Sequence, residues 1–83
     1  MHQIVRSPLQ LGTIIRRERQ YRQWSQSDLA ALCGLRQELI SRIETGHEGI
    51  KLSTLYAIFA ALDLELVIEQ RNASRAADIE DIF

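Results

Sequence analysis

The segment 25-SQSDLAALCGLRQELISRIETG-46 constrains the fold of this chain more than any other stretch. Ser25 can cap a helix, and Asp28 places a negative charge in its first turn, where the helix dipole favours it. Leu29, Ala30, Leu32 and Cys33 form an apolar side, and Gly34 can take the left-handed conformation that ends the helix. A second short helix follows almost at once, from about Arg36 to Thr45, with Leu39, Ile40 and Ile43 inward and Gly46 closing it. So short a connection forces the two helices to cross steeply. Ala30 is small where the helices must approach, and Leu29, Leu35, Ile40 and Ile43 fill the wedge between them.

The flanks read as two further helices. Ser7 caps the first, Pro8 suits its first position, and Gln10 is expected to complete a capping box. Leu11, Ile14 and Ile15 give it an apolar stripe, Arg16, Arg17, Arg19 and Arg22 are expected to be exposed, and it should end near Gln23. Tyr21 and Trp24 read as core or interface residues, and Cys33 as a small buried one. After the loop 47-HEGIK-51, a fourth helix from about Leu52 to Leu62 turns Leu52, Leu55, Ile58, Phe59 and Leu62 inward.

The pattern then changes. In 63-DLELVIEQ-70, Leu64, Leu66 and Ile68 alternate with Glu65 and Glu69, which is the period of a half-buried strand. A four-helix domain has no sheet for it to join, so pairing with the same strand of a second copy is the economical solution. Leu64, Leu66 and Ile68 would then cover the helices, with Val67 on the opposite face. The alternative is that the fourth helix simply continues through 64–69, since Leu and Glu are good helix formers. The fold class expected is therefore all-α: four helices, with a C-terminal strand pairing across a homodimer. The organisation expected is an N-terminal arm at 1–7, the helical domain at 8–63, a dimerisation strand at 64–70 and a disordered tail at 71–83.

Composition removes several function classes. An 83-residue chain with 46% hydrophobic and 25% charged residues fits one small globular domain. No apolar run is long enough for a membrane span, MHQIVRSP lacks the apolar region of a signal peptide, and one cysteine cannot make a disulfide framework, so a cytoplasmic protein is expected. His2 and His47 are isolated, no metal or cofactor motif is present, and no nucleophile elbow or phosphate-binding glycine loop suggests an enzyme. The net charge of −1 hides an asymmetry. Residues 1–46 hold seven Arg against four acids, or +3; residues 47–83 hold three cations against seven acids, or −4. A basic half and an acidic half suggest two surfaces with different partners.

These residues carry a resemblance. Ser25-Gln26, Leu29-Ala30, Gly34 and Ile40-Ser41-Arg42-Ile43-Glu44-Thr45-Gly46 resemble the repressor-type helix-turn-helix family of Xre and phage Cro-like domains. Within it the chain is similar to the HipB-type antitoxins, through Ser7-Pro8 and Gln10-Leu11, the apolar strand after the last helix, Asn72-Ala73-Ser74 and the aromatic end at Phe83. The resemblance implies a homodimer that binds double-stranded operator DNA and a HipA-like Ser/Thr kinase toxin. It also implies that Arg36, Gln37 and Ser41 stand where such proteins place base-reading residues.

The residues themselves support part of that reading. With Ile40 and Ile43 buried, helical geometry turns Gln37, Glu38 and Ser41 outward. An Arg such as Arg36 can reach guanine O6 and N7, a Gln such as Gln37 can bond adenine through both amide atoms, and Ser41 can reach a base edge or a phosphate. Glu38 either accepts from cytosine N4 or pairs with Arg42 one turn on. Leu39 is expected to pack in the core rather than meet a thymine methyl. Ser25 and Gln26 at a helix N-terminus, with Arg42, Lys51 and one or two of the first helix's arginines such as Arg17, are candidate phosphate contacts. Ile79, Ile82 and Phe83 of the acidic tail are candidate toxin-docking residues. The functional classes left open are an operator-binding repressor and antitoxin, a phage-type or restriction-control repressor without a toxin, and a protein-interaction module with weak DNA binding.

Overall fold

The computed structural model describes residues 3–71. It contains, in order, α1 (Pro8–Tyr21), α2 (Gln26–Cys33), α3 (Gln37–Glu44) and α4 (Leu52–Ala61). Each helix lies where the apolar spacing predicts, with ends displaced by one or two residues.

Helix starts fall into two kinds. At α1 the Ser7 hydroxyl accepts from the Gln10 N–H at 3.1 Å. The Gln10 side chain does not close the expected box on Ser7; it accepts from the N–H of Arg6 at 2.6 Å, tying down the residue before the cap. At α2 the box is complete: Ser25 Oγ accepts from the Asp28 N–H at 3.0 Å, and Asp28 Oδ2 accepts from the Ser25 N–H at 2.8 Å. By contrast α3 and α4 start at Arg36 and Lys51 with no side-chain cap at all.

All four helices stop in the same way. A residue with positive φ follows each one: Gln23 at 60°, Gly34 at 67°, Gly46 at 96° and Asp63 at 56°. The next N–H then reaches back over the last turn, from Trp24 to Arg19, Leu35 to Ala30, His47 to Arg42 and Leu64 to Phe59, at 2.8–3.2 Å. Trp24, Leu35 and Leu64 then fold their side chains onto the core.

That core is Ile15, Leu29, Ala30, Ile40, Ile43, Ile58, Phe59 and Leu62. Helix α3 packs against both α1 and α2, and α4 closes the far side of α2. Leu39 is half-buried against the core, as expected, and the Cys33 thiol lies 3.7 Å from the Ala57 carbonyl, its ionisation pushed up by burial. Two expectations fail. Leu32 is 60% exposed because it lies off the line of α2 that carries Leu29, Ala30 and Cys33, and Leu52 is 57% exposed at the first position of α4. Tyr21, 84% exposed, lies outside the core, which leaves the interface half of its expected role.

Gly12 explains how α1 and α3 come so close. A Cβ built there would stand 2.2 Å from the Ile43 carbonyl oxygen and 2.8 Å from that of Glu44. A mid-helix glycine weakens its helix by about 1 kcal/mol relative to alanine, and here that is exchanged for contact between two backbones.

The 64–70 segment is not a continuation of α4, which ends at Ala61 and turns at Asp63. Leu64 rests half-buried on the core, while Leu66, Val67 and Ile68 are 52%, 64% and 90% exposed. Beside them, Tyr56, Phe59, Ala60, Leu64 and Leu66 line a shallow groove of about 360 Å³. Among the described residues there is no strand for this segment to join. Ile79, Ile82, Phe83 and the rest of 72–83 lie outside the described residues.

Gly12→Ala is expected to destabilise the fold by about 1–3 kcal/mol through overpacking, despite alanine's better helix propensity. Urea melts measure this; a midpoint that stays put or rises would contradict the close approach.

Candidate nucleic-acid interface

The first turns of α2 and α3 are linked to a buried ion pair. Arg19 lies four residues after Ile15 and seven after Gly12, on the line of α1 that turns inward, so it is buried rather than exposed as the charge pattern suggested. Its Nε donates to Glu44 Oε2 at 2.7 Å and its Nη2 to Glu44 Oε1 at 3.0 Å, a forked pair with side chains 10% and 2% exposed. Nη1 donates to the Trp24 carbonyl at 2.7 Å. The hydrogen bond to Glu44 raises the Arg19 pKa above its ordinary value, against the opposing effect of burial. No buried side-chain nitrogen or oxygen is left unpaired among the described residues.

From Glu44 the network runs to the surface. Gln26 Nε2 donates to Glu44 Oε1 at 3.1 Å, and Gln26 Oε1 accepts from Gln37 Nε2 at 2.6 Å. The amide of Gln37, in the first turn of α3, is thus tied to the first turn of α2 and through it to α1. Gln26 and Gln37 are both half-buried.

Around this pair lie the other candidates. Arg36, Glu38 and Arg42 are exposed and Ser41 is half-exposed. Arg36 has no capping role, so its guanidinium is free to reach outward from the mouth of the helix. Glu38 and Arg42 do not form the expected intrahelical ion pair, whereas Glu44 pairs with Arg19 and Glu18 with Arg22. Ser25 is exposed at the start of α2, and Lys51 is exposed at the start of α4. Of the four arginines on the first helix and its end, Arg16 and Arg17 are exposed. Arg22 is not: its Nη1 donates to Glu18 Oε1 at 3.1 Å, its Nη2 to the Leu62 carbonyl at 2.5 Å, and its guanidinium lies over Trp24 at 5.8 Å. Trp24 is therefore a structural residue.

Two short helices at a tight left-handed turn, with the second offering an uncapped, outward N-terminus, describe a helix-turn-helix. The helix-turn-helix family model matches residues 15–68, more than half of the chain. Antitoxin HipB of Escherichia coli O6:H1 is 34% identical over 82 residues, which is 96% of this chain and 87% of that protein. The chain belongs to the HipB-type helix-turn-helix family. Among solved structures, a chain of a HipA–HipB–O2–O3 complex superposes with a TM-score of 0.76 at 31% identity, over 84% of this chain and 100% of that one. The restriction-modification controller protein C.AhdI of Aeromonas hydrophila superposes at 0.66 with 29% identity, over 70% and 88%.

What the sequence does not show is the buried pair behind the candidate residues. Glu44 was visible in the Ile43-Glu44 step of the motif but carried no role, and Arg19 was counted among surface cations. The signal available was Arg19's place on the Gly12–Ile15 line. Replacing Arg19 with Met leaves the Glu44 carboxylate buried without its cation and is expected to destabilise the fold by ~3–5 kcal/mol. Denaturant melts read the loss; a change below ~1 kcal/mol would mean that the pair is not a support of the fold.

Proposed function

We propose that this HipB-type protein is an antitoxin and a sequence-specific operator-DNA-binding repressor. In this reading it acts as a homodimer joined through residues 64–70, and its partner is a HipA-like Ser/Thr kinase toxin. The observation that carries the DNA part is the start of α3. There an arginine without a capping role, a tethered glutamine and an exposed Glu38 stand together at an uncapped helix N-terminus, which favours negative charge. Arg36 and Gln37 are the proposed principal base readers, with Ser41 and Glu38 beside them. Ser25, Gln26, Arg42, Lys51 and Arg17 are the proposed phosphate contacts, which set register rather than sequence.

The dimer is supported by what one chain leaves uncovered. Leu66, Val67 and Ile68 are apolar and exposed next to the Tyr56–Phe59 groove. Paired with their own copies, they would lose water and gain backbone partners together. The likeness to HipB, at 96% of this chain, takes in this segment as well as the helices, which favours the antitoxin reading over a restriction controller. Two recognition helices related by a two-fold axis would read an inverted repeat with half-sites about 34 Å apart. Ile79, Ile82 and Phe83 remain the proposed toxin contacts.

Gel shifts with Arg36→Ala and Gln37→Ala test base reading: each is expected to weaken specific binding by ~1–3 kcal/mol and to relax one operator position. Unchanged affinity and specificity in both would remove them as readers. A chain ending at Glu65 keeps Leu64 on the core but lacks Leu66 to Ile68, and light scattering is expected to find it monomeric. A dimer of normal stability would sink the role given to the strand.

A further inference from the structure

The direction of the hydrogen bonds between α1 and the start of α3 is not free, and its consequence lies at the proposed DNA surface. An ionised carboxylate only accepts. The end of Gln26 that lies 3.1 Å from Glu44 Oε1 is therefore its NH₂. With that end fixed, the Gln26 carbonyl turns toward α3 and accepts from Gln37 Nε2 at 2.6 Å. Gln37 is left with Oε1, which accepts from no donor among the described residues, and with its second N–H.

We infer that Glu44, held by Arg19, is a positioning residue for base reading: it sets the polarity of the Gln26–Gln37 pair and so decides which amide atom Gln37 turns toward DNA. The inference rests on the reading that Gln37 contacts a base. An isolated pair of glutamines can run in either direction, because each amide offers both a donor and an acceptor. Reversal would exchange the acceptor and donor that Gln37 presents. Adenine needs them in one order, with an acceptor for N6–H and a donor for N7. Glu44 removes the ambiguity because it cannot donate. Arg19 holds Glu44 in place through two hydrogen bonds to its two oxygens. The buried pair thus acts on specificity without touching DNA.

The test is selection from a library of duplexes with randomised inverted-repeat half-sites, at a temperature where circular dichroism shows each variant folded. Gln37→Ala first marks the operator position that Gln37 reads. Glu44→Gln, which can both donate and accept, is expected to lower discrimination at that same position by about fivefold or more while other positions keep their preferences. The double variant Arg19→Met with Glu44→Gln leaves no unpaired buried charge and is expected to do the same. Gln26→Met keeps the ion pair whole, so it remains informative if the first two unfold, and it too is expected to relax that position. A purely supporting role for Glu44 would weaken binding to all sequences alike. The inference is overturned if folded Glu44 variants, or Gln26→Met, keep the wild-type preference at the position that Gln37→Ala relaxes. If Gln37→Ala relaxes no position, base reading by Gln37 itself fails, whatever Glu44 does.

Discussion

The forked contact between Arg19 and Glu44 is the interaction on which the remaining geometry depends. Two charges withdrawn from water need each other, and the desolvation of each is offset by direct hydrogen bonds. Meeting them requires the last turn of α1 to lie against the end of α3. Gly12 makes that approach sterically possible, since any side chain there would strike the Ile43 and Glu44 carbonyls. The glycine sets the distance and the ion pair sets the register. Apolar burial alone would hold these helices together, but it is non-directional and would tolerate sliding.

The helix ends divide their work between fold and surface. Four left-handed turns return the chain to the core at the same relative position, with Trp24, Leu35 and Leu64 as the anchoring side chains after three of them. Starts are handled differently. Ser7 and Ser25 satisfy backbone donors locally, whereas α3 and α4 begin at cations with their first amides uncapped. A cation at a helix N-terminus is unfavourable by about 0.3–1 kcal/mol until an anion arrives. At the start of α3 that cost is partly offset by Glu38 in the first turn.

Charge shows how far counting can go. The basic excess of residues 1–46 points toward DNA on counting alone. Arg19 and Arg22 nevertheless face inward, so two of the cations behind that excess are structural. Their partners Glu44 and Glu18 belong to the same half and are withdrawn with them. The balance is therefore preserved although the identity of the surface cations changes.

The sequence by itself determined the four helices, the left-handed turn at Gly34, most of the core and the exposure of Arg36 and Glu38. These follow from periodicity and local turn chemistry, in which each residue's role depends on neighbours within one helical turn. The alternation in 64–70 likewise marked the end of the helical pattern, and Asp63 turns the chain there. Only the tertiary structure decided the fate of side chains whose partners are distant in sequence. Arg19 and Glu44 are separated by twenty-five positions, and Gln26 and Glu44 by eighteen. A charged side chain on a helix reads as solvated unless a partner is seen to follow it inside, and periodicity is silent about partners. Spacing likewise locates a helical face but not how much of it the neighbouring helices cover, and Leu32 and Leu52 lie beyond that cover. The fold was legible because it is written in short-range patterns, while the support beneath the proposed reading residues appears only once α1, α2 and α3 meet.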